Sequence, residues 1–153
     1  GDVRARAQQS RASPGKSEPQ IGTKGAESTK YGRHARTTEV FHGKVLLSKK
    51  EEISSEDGKL KSVSTKLFRD GELIFLSTYF ADANRTIRGY YHQDKVVMNE
   101  GDEDGDGFFE TMILFDAKEQ PVEAFSKSKD GTVTQFSKEK LVELKKSFAK
   151  LQE

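Results

Sequence analysis

The sequence predicts a mainly β chain: an antiparallel up-and-down β-meander with one C-terminal α-helix packed on it. Three observations lead there. From Thr38 onward, short apolar runs are punctuated by turns, most plainly at Glu56-Asp57-Gly58, Arg69-Asp70-Gly71 and Asp130-Gly131. Asp-Gly between alternating runs is a strong hairpin signal. An aromatic residue opens a polar turn at Phe68, Tyr91, Phe115 and Phe136, at intervals of 23, 24 and 21 residues, each holding two strands. Helical periodicity is clear only after Ser137.

In chain order, residues 1–37 come first. They carry eight Lys or Arg against three Asp or Glu, so the +1 chain divides into a +5 segment and a −4 body over residues 38–153. Apolar residues there are sparse, and Pro14 and Pro19 break any regular pattern. Such a stretch buries too little surface to offset its ordering entropy, and is expected to be a basic low-complexity linker or tail. Its scattered cations, with Tyr31 alone available for stacking, make a poor nucleic-acid arm.

The body, 38–153, is expected as one β-meander domain. Strands are predicted at 39–47, 59–68, 73–80, 86–91, 96–98, 108–115, 122–125 and 132–136. Leu73, Phe75 and Tyr79 oppose Ile74, Leu76 and Phe80, and Phe108 to Phe115 is apolar on both faces. Both faces are therefore expected to be covered, by curling of the sheet, by the helix or by a partner. The helix, 138–151, has Ser137 as N-cap and Glu139 in its first turn. Leu141, Leu144, Phe148 and Leu151 form one stripe, expected to lie on the sheet.

The stretch that carries chemistry is Gly101 to Asp116, GDEDGDGFFETMILFD. Calcium takes six to eight oxygens at about 2.3–2.6 Å, and Asp102, Asp104 and Asp106 offer three carboxylates from one tight turn. Gly107 then allows a sharp bend. With Asp102 as position one, position twelve is Ile113, which excludes the EF-hand, where a bidentate Glu is required. Glu110 stands at position nine, and the backbone carbonyl near Phe108 is the remaining protein ligand expected. Crowding of Glu100, Asp102, Glu103, Asp104, Asp106 and Glu110, with no Lys or Arg among them, favours a cation over a bare acidic turn.

The nine residues from Asp102 to Glu110, D-x-D-x-D-G-x-x-E, resemble the hairpin calcium loops of integrin-type β-propellers. That resemblance implies structural Ca²⁺, with the position-nine carboxylate closing the cage. Residues 56–136, with Phe68-Arg69-Asp70-Gly71 as an aromatic-x-x-G turn, loosely resemble bacterial tandem β-hairpin repeats of the MORN-like kind. The second resemblance implies a repeat architecture that displays surface.

Other chemistries find little support. The chain lacks cysteine, so disulfides and thiolate zinc sites are excluded. No apolar run reaches the length of a membrane-spanning helix, and any export signal is expected upstream of Gly1. His34, His42 and His92 are not spaced as metal ligands, and no nucleophile elbow, phosphate loop or dinucleotide fingerprint occurs. Asn84-Arg85-Thr86 matches a glycosylation acceptor, a triplet common by chance. The expectation is a non-catalytic, calcium-stabilised binding or structural module, extracytoplasmic, secreted or tethered as a lipoprotein, with an unspecified protein or surface ligand as partner. The other reading is a cytoplasmic immunity- or antitoxin-like protein whose acidic body covers a basic partner.

Overall fold

A computed structural model describes residues 20–30 and 32–151. Ten strands follow one another: β1 (Ile21–Lys30), β2 (Arg33–His42), β3 (Val45–Ser55), β4 (Leu60–Arg69), β5 (Glu72–Phe80), β6 (Arg85–His92), β7 (Lys95–Asp102), β8 (Thr111–Phe115), β9 (Pro121–Lys127) and β10 (Val133–Gln135). They form one antiparallel sheet whose spatial order is the chain order. Helix α1 (Lys138–Leu151) follows. The predicted meander with a C-terminal helix is the observed fold.

Turn chemistry explains the connectivity. Asp70 and Gly71 both have positive φ (51° and 82°), the type I′ geometry that matches strand twist. Gln93 and Asp94 adopt the same geometry (51° and 63°) without a glycine. Ser55 to Lys59 and Ser128 to Thr132 share another design. In each, the Asp accepts from the Ser hydroxyl and from a backbone N–H two residues on, and glycine takes the left-handed position. The repeat aromatics mark bulges: register shifts fall at Leu67/Phe68, Tyr90/Tyr91 and Leu114/Phe115. Successive turns are also tied together, since Leu73 N–H donates to Asp94 (3.1 Å) and Val96 N–H to Glu119 (2.9 Å).

Several boundaries differ from expectation. Residues 1–19 and 31 of the predicted tail lie outside the described residues, but 21–30 and 33–37 are strand: β1 and β2 pair along their whole length. Ladder hydrogen bonds make a strand without burial, and β1 is exposed at every residue. The predicted first strand at 39–47 crosses a real turn, where Gly43 takes φ 64° between β2 and β3. Strand β7 runs on to Asp102, whereas β8 begins only at Thr111: Phe108 and Phe109 lie in the loop exit, and the Glu110 carbonyl meets β9 by accepting from Lys127 N–H at 2.6 Å.

Of the expected covers for the two faces, neither curling of the sheet nor the helix covers the central strands among the described residues. Among the described apolar residues only Phe115, Pro121 and Ala124 are buried. The row Leu67–Phe75–Tyr90–Met98–Leu114 crosses five strands in register on one face, half-buried or exposed throughout. The central sheet is a single layer, with neighbouring side chains covering one another. Helix α1 packs over β9 and reaches the end of β8. There Phe148 meets Phe115 edge-on, centroids 5.3 Å apart. Ser137 caps the helix as predicted, its hydroxyl accepting from Lys140 N–H at 3.2 Å.

Candidate metal centre

In a meander, alternate turns project from the same end of the sheet. The β5–β6, β7–β8 and β9–β10 turns are therefore neighbours, and the middle one is the acidic loop. Strand β7 carries Asp102 to the rim, where it is 3% exposed, the one charged residue buried among those described. Its two oxygens accept from Gly105 N–H (3.0 Å) and Gly107 N–H (2.8 Å), winding the loop around the carboxylate. Asp104 accepts from Asp106 N–H (3.3 Å), and Asp106 accepts from Phe108 N–H (2.9 Å). Glu110 reaches back to accept from Glu103 N–H at 2.5 Å.

One carboxylate oxygen from each of Asp102, Asp104, Asp106 and Glu110 lies within 4.8 Å of the others. The four predicted side chains are thus brought together, and the group could hold a metal ion. Phe108, expected to contribute a carbonyl, lies at the loop exit with its N–H committed to Asp106. The histidines stay apart from this cluster: His34, for instance, contacts Thr29 (2.9 Å) in the β1–β2 hairpin.

What the linear sequence hides is how the loop's charge is balanced. Lys129, from the β9–β10 turn, sits 2.5 Å from Asp106, and Arg85, at the start of β6, pairs with Glu103 at 2.5 Å. Lys129 holds the Asp106 carboxyl down to about 2, while hydrogen bonding with Asp106 raises Asp104. Crowding that looks uncompensated along the chain is offset across it. The available signal was the meander itself, which makes turns two hairpins apart in sequence adjacent in space.

Gly105 is the second missed feature. It adopts φ 75°, and a Cβ there would collide with the Asn84 side chain and lie 2.6 Å from the Asn84 carbonyl. Asn84 donates to the Asp104 carbonyl (3.4 Å) and accepts from Tyr79 hydroxyl (3.2 Å), so the glycosylation-like triplet buttresses the loop. On the sheet side, Glu100 accepts from Tyr90 hydroxyl (2.8 Å) and Lys127 ammonium (3.1 Å), and Arg88 stacks on Phe109 at 3.8 Å. Burial works against the charged form of Glu100, but those donors and the Lys127 and Arg88 charges outweigh it and lower its pKa.

No protein-family model matches the chain, and none of the characterised proteins compared with it matches either.

Proposed function

We propose that this protein is a non-catalytic binding or structural module whose acidic loop takes Ca²⁺, and that it works outside the cytoplasm, secreted or tethered to a surface. The observation that carries the reading is the convergence of Asp102, Asp104, Asp106 and Glu110 within 4.8 Å. Hard oxygen donors on a flexible turn suit calcium, whereas magnesium demands near-ideal octahedral geometry and gives up water reluctantly. A Phe108 carbonyl and solvent would complete the shell. Competition from Lys129 fits a weak site, on the order of 10⁻⁴–10⁻³ M as in extracellular modules, which cytoplasmic calcium would not fill. The tandem-hairpin resemblance and the broad open sheet fit a display role.

The experiment is a thermal melt in millimolar calcium against chelator, paired with calorimetric titration. Calcium should stabilise by about 2.7 kcal/mol at one hundred times Kd. Asp104→Ala should abolish the response while leaving the metal-free melt little changed. Identical melts with no calorimetric binding would sink the reading. The −4 charge over residues 38–153 motivates the other reading, an immunity- or antitoxin-like protein covering a basic partner in the cytoplasm. That reading expects no calcium response and salt-sensitive capture of a basic protein.

A further inference from the structure

We infer that the chain pairs with a second copy of itself through the outer edge of β1, joining two sheets into one antiparallel sheet about a two-fold axis. The ladder's parity comes first. Gly43 N–H donates to the Gln20 carbonyl at 2.9 Å, and β1 pairs with β2 without a bulge from Ile21↔His42 to Lys30↔Arg33. In an antiparallel ladder, hydrogen-bonded pairs recur at every second residue. Gly22, Lys24, Ala26, Ser28 and Lys30 therefore bond toward β2. Ile21, Thr23, Gly25, Glu27 and Thr29 aim their backbone N–H and C=O groups away from the sheet, where no strand lies among the described residues.

This edge is long, unbulged and free of proline, and its ten residues are all exposed. Native edges are usually shortened, bulged or covered, because unpaired ladder groups are a template for another chain. The opposite edge is protected in that way. Strand β10 has only three residues, and the chain leaves the sheet for α1 directly after Phe136, whose N–H donates to the Ala124 carbonyl of β9 (2.8 Å). So short an edge offers few ladder bonds, which disfavours head-to-tail addition of copies there. Like edge therefore meets like edge, which closes the assembly at two copies.

The register follows from symmetry. A two-fold axis normal to the sheet keeps each face on its own side and can pass beside any residue of the strand. Beside Lys24 or Ala26, however, it leaves one of the five outward-bonding residues past the end of the partner strand. Centred on Glu27, it would set two carboxylates opposite each other. Centred on Gly25, it pairs Thr23 with the partner's Glu27 and Ile21 with the partner's Thr29, using the whole strand for roughly ten ladder bonds. A Cβ at Gly25 would meet only the Thr37 carbonyl, at 3.8 Å, so the space beside it is open. Glycine inside a strand often marks the close approach of another backbone.

The test is sedimentation of the full chain across the micromolar range, with Gly25→Pro and Thr23→Pro. Each proline removes an outward N–H and leaves the bonds to β2 in place. Wild type should sediment as a dimer and both variants as monomers with unchanged β circular dichroism. A spin label on Thr29→Cys should report its copy eight residues away along the strand, about 27 Å. A wild-type chain monomeric throughout overturns the inference. A dimer that persists in both proline variants also overturns it and assigns association to a sheet face, α1 or residues 1–19. If the variants lose β signal, the spin-label distance in the wild-type background decides: a different separation, or none, refutes the pairing.

Discussion

Phe148→Ala tests whether α1 closes the sheet. Truncating a fully buried Phe costs about 3–5 kcal/mol. Phe148 is half-buried, and its contact with Phe115 is one edge-to-face pair at 5.3 Å. Such a pair contributes about 0.5–1.5 kcal/mol beyond area burial. Scaling the transfer cost by burial, with the pair included, gives a loss of roughly 2 kcal/mol. For a chain of this size that lowers the melting temperature by about 4–8 °C. The assay is thermal and urea unfolding by circular dichroism, with Val142→Ala as the control. Val142 is on the same helix and 49% exposed, so its truncation should have little effect. If Phe148→Ala melts with wild type, or no lower than Val142→Ala, the helix is not closing the domain.

Three further outcomes follow. Gln93→Gly should raise stability by about 1 kcal/mol in urea unfolding, because Gln93 sits at φ 51° and a side chain there is strained. Asp94→Gly should gain less, since it removes the acceptor for Leu73 N–H. Lys129→Ala should tighten calcium a few-fold in titration by freeing Asp106, and unchanged or weaker binding would contradict Lys129 as the competitor. On acidification, Asp130 (held to about 2 by Ser128 and Thr132) and Glu100 (lowered) both have depressed folded values. Their stabilisation is complete above their ordinary values, 3.8 and 4.5, and is lost as pH falls through them toward 2. Asp130→Asn should flatten that acid limb in melts taken between those limits.

The features legible in the sequence were those set by local chemistry. Asp-Gly at 70–71 and 130–131 specifies turns through backbone preference, and Ser137 specifies a helix start. The Asp102-to-Glu110 spacing places four carboxylates around one point because a tight loop leaves them few other arrangements. Features that depend on the neighbouring hairpin were hidden. Lys129 and Asn84 reach the loop only because the meander stacks turns at one end, and neither residue type signals that role. Strand β1 was hidden for another reason. Its Gly, Thr, Ser and Lys residues carry no apolar alternation, and it is held by ladder bonds rather than by a buried face. The apolar run at 108–115 misled in the opposite direction: Phe108 and Phe109 belong to the loop exit, where Arg88 stacks on Phe109.

The same balance of forces accounts for how the fold's strength is distributed. A single-layer sheet cannot draw its stability from a central core, and here the fully buried apolar residues cluster at the β8–β9 end. Elsewhere each strand depends on its two neighbours, through cross-strand side chains such as Phe75 and Tyr90, centroids 5.3 Å apart. Each strand contact is made with the next strand in the chain, so stability accumulates hairpin by hairpin, much as in repeat proteins. The helix end is anchored by packing and the loop end by convergent turns. Strand β1 alone has a long open edge and no burial. A second β1 would supply what α1 supplies at the other end: a neighbour for the last strand.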